Sequence, residues 1–308
     1  MDKPKTTAKD FFLWAGATVS FYWTVIAFIL LTFDYINFVF PNPLTYYPVD
    51  PYQSGISYEM ASIVVLLPLF MFLMWLIHND ASKDSSRNDI WVRRWALIFT
   101  LFVAGVTMVI DLITLLTTFL NGEELTTAFL LKTGIVFFVA VGVFMHFIAE
   151  LKGYWNLYPS RRNAVRISVA ILAVVTIGSG FHIVGTPAEA RLARFDAQRV
   201  GDLQNIQSQV ITYYQAKQKL PDMISDLNNS LSYGPIPVDP QTGTAYLYER
   251  GEGLSFKLCA SFNAKSHGNT PMSAYVEKRA DNWQHEAGTA CFDRTLDPSF
   301  YPPLVNKI

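Results

Sequence analysis

Five long apolar runs, each with at most one charged residue, constrain this chain more than anything else in it. They cover 11–33, 60–77, 95–120, 127–148 and 167–185. A helix rises about 1.5 Å per residue, so about 20 apolar residues cross the hydrocarbon core of a bilayer. Runs this long and this poor in charge exceed what the buried helices of a water-soluble core need. Only 16% of the 308 residues are charged, against about 25% in a typical soluble domain. The deficit falls in the first 185 residues. Ordinary polar sequence follows. The net charge of −1 excludes a broad basic face of the kind that binds nucleic acid.

The first run is preceded by basic residues, as a signal peptide is. It is longer than a signal peptide and lacks an Ala-x-Ala-like end, so it reads as a retained anchor. Thr7-Ala8-Lys9-Asp10 before it is a capping-box pattern. Pro68 in the second run removes one backbone bond and predicts a kink.

Lysine and arginine set the expected direction. They gather before the first run (Lys3, Lys5, Lys9), between the second and third (Lys83, Arg87, Arg93, Arg94), and between the fourth and fifth (Lys152, Arg161, Arg162, Arg166). The loops 34–59 and 121–126 have neither residue and carry Asp34, Asp50, Glu59, Glu123 and Glu124 instead. This alternation predicts a cytoplasmic N-terminus and, after five crossings, a C-terminal domain outside. Trp75, Trp91, Trp95 and Trp155 fall near the expected cytoplasmic boundary, as an aromatic belt would.

Two ionisable groups lie inside the runs. Asp111 is about 13 Å from the outer end of the third, and Lys132 about 8 Å into the fourth. The loop between is short, so the two helices are expected to be antiparallel neighbours and Asp111 and Lys132 to form an intramembrane ion pair. The functional alternative is a proton or ion relay through Asp111, Lys132 and His146 or His182. His78, His146 and His182 sit near run ends without ligand spacing on one helix face, so no metal site is expected from them.

After Gly185 the pattern changes. Residues 187–219 read as an amphipathic helix, with Leu192, Phe195, Val200, Leu203, Ile206, Val210 and Tyr213 at mostly three- and four-residue steps. Arg191, Arg194, Arg199, Asp202 and Gln204 fall on its other faces. Leu220-Pro221 ends the helix, and 222–227 suits a short helical turn. A turn at 239–243, alternation over 245–249, a second turn at 251–253 and alternation over 254–260 spell a β-hairpin. A further strand is expected at 273–278, and an irregular tail from Trp283. Both cysteines, Cys259 and Cys291, fall in this domain. An oxidising compartment permits a disulfide between them, and two buried free thiols are the alternative. The expected fold class is therefore a five-helix membrane bundle followed by a small α+β domain.

The strings "YYQAKQKLPDMISDLN" and "VDPQTGTAYLYERGEGLSFKLCASF", placed after a membrane helix and a long amphipathic helix, resemble the head of type IV pilins and type II secretion pseudopilins. The resemblance covers about 165–262. It implies that Tyr213, Tyr214, Leu220, Pro221, Asp239, Pro240, Gly243, Tyr246 and Tyr248 are structural, with the hairpin packed on the helix. The stretch 161–167 has neither the prepilin-peptidase site nor the early glutamate of that family. Major pseudopilins bind calcium through a C-terminal loop, where Asp293 and Asp297 are the oxygen donors available here. "TTAKDFFLWAGA" and "FVAGVTMVIDLITLLTTFLNGEELTTAFLLK" resemble a bacterial four-helix membrane domain of unknown function over the first 150 residues. Together these imply four parts: a four-helix domain to residue 150, a basic linker over 151–166, a fifth membrane helix over 167–185, and a pilin-like domain over 186–308.

No Gly-x-Ser-x-Gly, His-Glu-x-x-His, P-loop, Cys-x-x-Cys-His or dinucleotide fingerprint is present. His285, Glu286 and Cys291 in "HEAGTACFD" are the nearest approach to an active site, and a disulfide with surface polar residues accounts for them. The expected function is non-enzymatic and cofactor-free. It is a bacterial multi-pass membrane protein whose outer domain binds an envelope protein or a second copy of the chain, with membrane lipid as its other partner. The alternative is a transporter or channel component using Asp111 and Lys132.

Overall fold

The computed structural model describes residues 6–40, 55–83, 90–228, 234–266 and 282–302. The chain divides into two compact units, Met1–Val184 and Gly185–Ile308.

The first unit is helical: α1 (Ala8–Val39), α2 (Ile56–Lys83), α3 (Trp91–Leu120), α4 (Thr127–Leu151), the single turn α5 (Tyr154–Leu157) and α6 (Pro159–Val184). All five apolar runs lie in helices long and apolar enough to cross a membrane. The expected capping box starts α1. The Thr7 hydroxyl accepts from the Asp10 amide at 3.3 Å, and the Asp10 carboxylate accepts from the Thr7 amide at 3.0 Å. Thr126 caps α4 by accepting from the Phe129 amide. Pro159 opens α6, where its missing N–H costs nothing.

α1 packs on α2, and α3 packs on α4. α6 belongs to this unit through α2 and α1. The Tyr35 hydroxyl donates to the Thr176 carbonyl at 2.7 Å. Gly180 makes the approach possible, because a Cβ there would collide with Met60 Sδ and with the Tyr35 hydroxyl. The outward faces stay apolar: Phe102 is 65% exposed, Phe138 74% and Val174 70%. Trp75, Trp91 and Trp95 are exposed as a belt requires, but Trp155 is buried, its indole N–H donating to the His146 carbonyl at 3.1 Å.

The second unit begins with α7 (Pro187–Lys217), which has its own capping box between Thr186 and Glu189. A 3-10 turn follows at Ile224–Leu227. Three antiparallel strands come next, β1 (Leu247–Arg250), β2 (Ser255–Phe262) and β3 (Gly288–Thr295), in the order β1-β2-β3. The hairpin forms where the alternation places it. The tail is not irregular from Trp283 as expected, because Gly288–Thr295 is a full strand paired along β2. Its alternation escapes notice because the strand exposes Thr289, Cys291 and Asp293 on one face while burying only Phe292 and Arg294 on the other. The strand expected at 273–278 lies outside the described residues.

The core follows from two periodicities. Leu203, Ile206, Val210 and Tyr214 recur at helical steps on α7, and Phe256, Leu258, Ala260 and Phe262 recur at step two on β2. All eight are buried, with Phe292 and Leu296 beside them. Cys259 and Cys291 oppose each other across β2 and β3, with Cα atoms 4.1 Å apart, and are joined by a disulfide. The bond closes a span of 32 residues, which by loop-closure entropy stabilises by about 3 to 4 kcal/mol. Reduction should therefore lower the unfolding free energy of the second unit, read from urea titration, by that amount. Thiol labelling of the unreduced, unfolded chain should find no reactive cysteine.

Candidate functional site

Polar side chains in the helical unit gather in two places. The first is a cleft of about 200 Å³ lined from the end of α2, the beginnings of α1, α3 and α6, and the end of α4. Here Arg93 pairs with Glu150 at 2.8 Å and Lys9 with Asp80 at 2.5 Å. His78 lines the same cleft. The helix ends brought together are those that carry the basic residues of the sequence. The up-and-down packing of five helices puts alternate loops at one end.

The second holds the ionisable groups within the helices. The expected Asp111–Lys132 ion pair is not formed. Lys132 Nζ donates to Asn37 Oδ1 at 2.6 Å and stands 5.6 Å from the centre of the Phe33 ring, both on α1. Asp111 is 9% exposed, and its Oδ2 has no hydrogen-bond partner. Antiparallel neighbours do bring α3 and α4 together. But the side chain of Lys132 turns across to α1, a direction that loop length cannot disclose. His146 lies against Trp155, with ring centres 5.2 Å apart and planes tilted by 32°, and His182 is exposed. Among the described residues no group of His, Cys, Asp and Glu has the arrangement of a metal site.

In the second unit the sequence motif becomes one charged network. Arg199, expected on a polar outer face of α7, is 3% exposed. Its Nε and Nη2 donate to the two carboxylate oxygens of Asp239 at 2.6 and 3.2 Å. Its Nη1 donates to Asp196 at 2.7 Å, and Nη2 also donates to Gln241 at 2.9 Å. Asp239 in turn accepts from the Gln241 and Thr242 amides at 2.9 and 2.8 Å. Asp196 accepts from the amides of Asn263 and Ala264. Every member is satisfied, which is what lets charges stay buried. The guanidinium beside it and the two turn amides hold the Asp239 carboxyl well below the usual carboxylate range.

The other residues expected to be structural surround this network. Pro240 follows Asp239 into the turn, and Gly243 takes φ +72°, a left-handed conformation that glycine tolerates, while its amide donates to the Asp239 carbonyl. The buried Tyr246 donates its hydroxyl to Asp202 on α7 at 2.7 Å, and burial with that carboxylate pushes its pKa up. Tyr248 donates to the Pro221 carbonyl at 2.8 Å, and burial raises it to about 12. Leu220 is buried and Tyr213 half-buried beside Tyr214 in the core. Turn chemistry finds the turn, and the tyrosines are found only as what the resemblance implies. Their anchor, Arg199, stands 40 residues from Asp239 and carries no local signal.

His285, Glu286 and Cys291 do not converge. Cys291 is in the disulfide, and Glu286 pairs with Lys265 at 2.6 Å. His285 is stacked on Phe262, with its pKa lowered by burial. Asp293 lies 3.7 Å from Lys257, and Asp297 accepts from Ser299.

Residues 10–147 match a family described as a domain of unknown function, DUF5671. The match spans α1 to most of α4, as the resemblance of the first 150 residues implies. No curated protein and no solved structure matches the chain.

Two outcomes follow. Arg199→Met should cost the second unit about 3–5 kcal/mol, because it strands two buried carboxylates. Since the folded pKa of Asp239 is depressed, its contribution is complete above the unfolded value near 4 and declines as pH falls below it. Urea unfolding of the wild type should weaken below about pH 4, and Asp239→Asn should remove part of that slope. In the helical unit, Asp111→Asn and Lys132→Met should be additive within about 0.5 kcal/mol. Asn37→Leu and Lys132→Met should be coupled. Thermal unfolding of the three single and two double variants measures both.

Proposed function

We propose that this chain is a non-enzymatic membrane protein of the bacterial envelope. Its helical unit sits in the cytoplasmic membrane with the N-terminus inside. It carries a pseudopilin-like head outside, where that head binds an envelope protein or a second copy of the chain. The apolar outward faces of α1 to α4 and α6 support the bilayer, since such a surface has no soluble partner among the described residues. The gathering of Lys9, Arg93, Arg162 and Arg166 at one end supports the orientation. The head reading is carried by one observation: the Asp239 turn is bound to the long helix through Arg199, and Tyr246 after it through Asp202. Those motif residues spend their polar groups on internal contacts, which suits a scaffold displayed for binding.

Alkaline phosphatase fused after Ile308 should be active, and the same fusion after Lys83 inactive. The reverse pattern would overturn the orientation. Photo-crosslinkers on the exposed face of α7 should retrieve a discrete envelope partner or a dimer. Products no different from those of a crosslinker on α4 would sink the binding reading.

A second reading, a transporter or channel component, is favoured by the buried and unpartnered Asp111 Oδ2. Buried carboxylates inside membrane helices often serve ion or proton pathways. Ion or proton flux in proteoliposomes should then fall in Asp111→Asn and in Lys132→Met. Flux unchanged in both variants removes this reading.

A further inference from the structure

We propose that the cleft at the basic end of the helical unit binds a phosphate group through Arg162 and Arg166. The cleft, at about 200 Å³, far exceeds the ~10–15 Å³ of probe volume that one water needs. Its acidic lining is already committed. Glu150 is held by Arg93 at 2.8 Å, and Asp80 by Lys9 at 2.5 Å. Asp10 is occupied by the Thr7 amide and hydroxyl at 3.0 and 2.7 Å. Two further cations line the same space from α6. Arg162 Nε is shielded from solvent and has no hydrogen-bond partner, a cost that a ligand oxygen would relieve. Arg166 stands one turn later on the same helix face. The two guanidinium forks match phosphate oxygens better than ammonium groups do. Both lie in the first two turns of a 26-residue helix, whose N-terminal end adds a favourable field for an anion.

The phosphate can belong to a lipid headgroup or to a soluble molecule. The lipid source rests on the bilayer reading above. Exposed Trp75, Trp91 and Trp95 on the adjoining helix ends then place the cleft at headgroup level, where basic pockets between helices hold anionic lipids.

The test is thermal unfolding of the full chain in uncharged detergent, titrated with phosphatidylglycerol, a neutral glycolipid or inorganic phosphate. Phosphatidylglycerol should raise Tm by several degrees, and the glycolipid should not. Arg162→Gln and Arg166→Gln should each weaken the binding about tenfold. Arg161→Gln should leave it intact, because Arg161 lies against the Tyr154 and Tyr158 rings instead. Stabilisation by inorganic phosphate alone would assign the site to a soluble phosphate compound. Absence of any shift, or a shift kept in the Arg166→Gln variant, would overturn the site. The exposed Arg166 keeps the test valid should Arg162→Gln not fold. Carbonate extraction of native membranes tests the bilayer reading separately. A chain released by carbonate but still stabilised by phosphate refutes that reading and leaves the site standing.

Discussion

The helices of the first unit are apolar on every face, and five helices cannot hide that much surface from one another. Side chains such as Phe102, Phe138 and Val174 remain outside. Water would penalise them by roughly 25 cal/mol for each Å² left exposed. An apolar surrounding removes the penalty but also removes the alternative hydrogen-bond partners for the backbone. Continuous helices answer that constraint, since each peptide group is satisfied within its own segment. The helix ends inherit what the middles cannot hold. Caps at Thr7 and Thr126, the Arg93–Glu150 and Lys9–Asp80 pairs, and the cleft between them all sit there.

The second unit obeys the opposite condition. It has one amphipathic helix and a three-stranded sheet around a single buried apolar cluster. Two further devices hold it. The disulfide ties β2 to β3, and Arg199 ties α7 to the 239–243 turn and, through Asp196, to the end of β2. The charge of Arg199 is tolerable only because both carboxylates arrive with backbone amides to share them.

Asp111 and Lys132 separate the two functional readings. Had they neutralised each other, both would be explained as structure. Instead Lys132 ends at Asn37, and Asp111 keeps a buried oxygen with no partner. The proposal of a binding protein does not use this carboxylate, and the proposal of an ion pathway rests on it.

The sequence by itself determined the elements that depend on neighbours in the chain. The five apolar runs, the capping box at Thr7, the hairpin and the Asp239–Gly243 turn are all local, because periodicity and turn chemistry act over a few residues. The basic loops could be sorted into one end for the same reason. Only the tertiary structure decided the rest. It buried Arg199 where its helix looked polar, made a strand of Gly288–Thr295, and turned Lys132 away from Asp111. Each of those outcomes pairs residues distant in sequence. Their partners are chosen by how helices and strands pack, and that choice leaves no mark in the spacing of either residue alone.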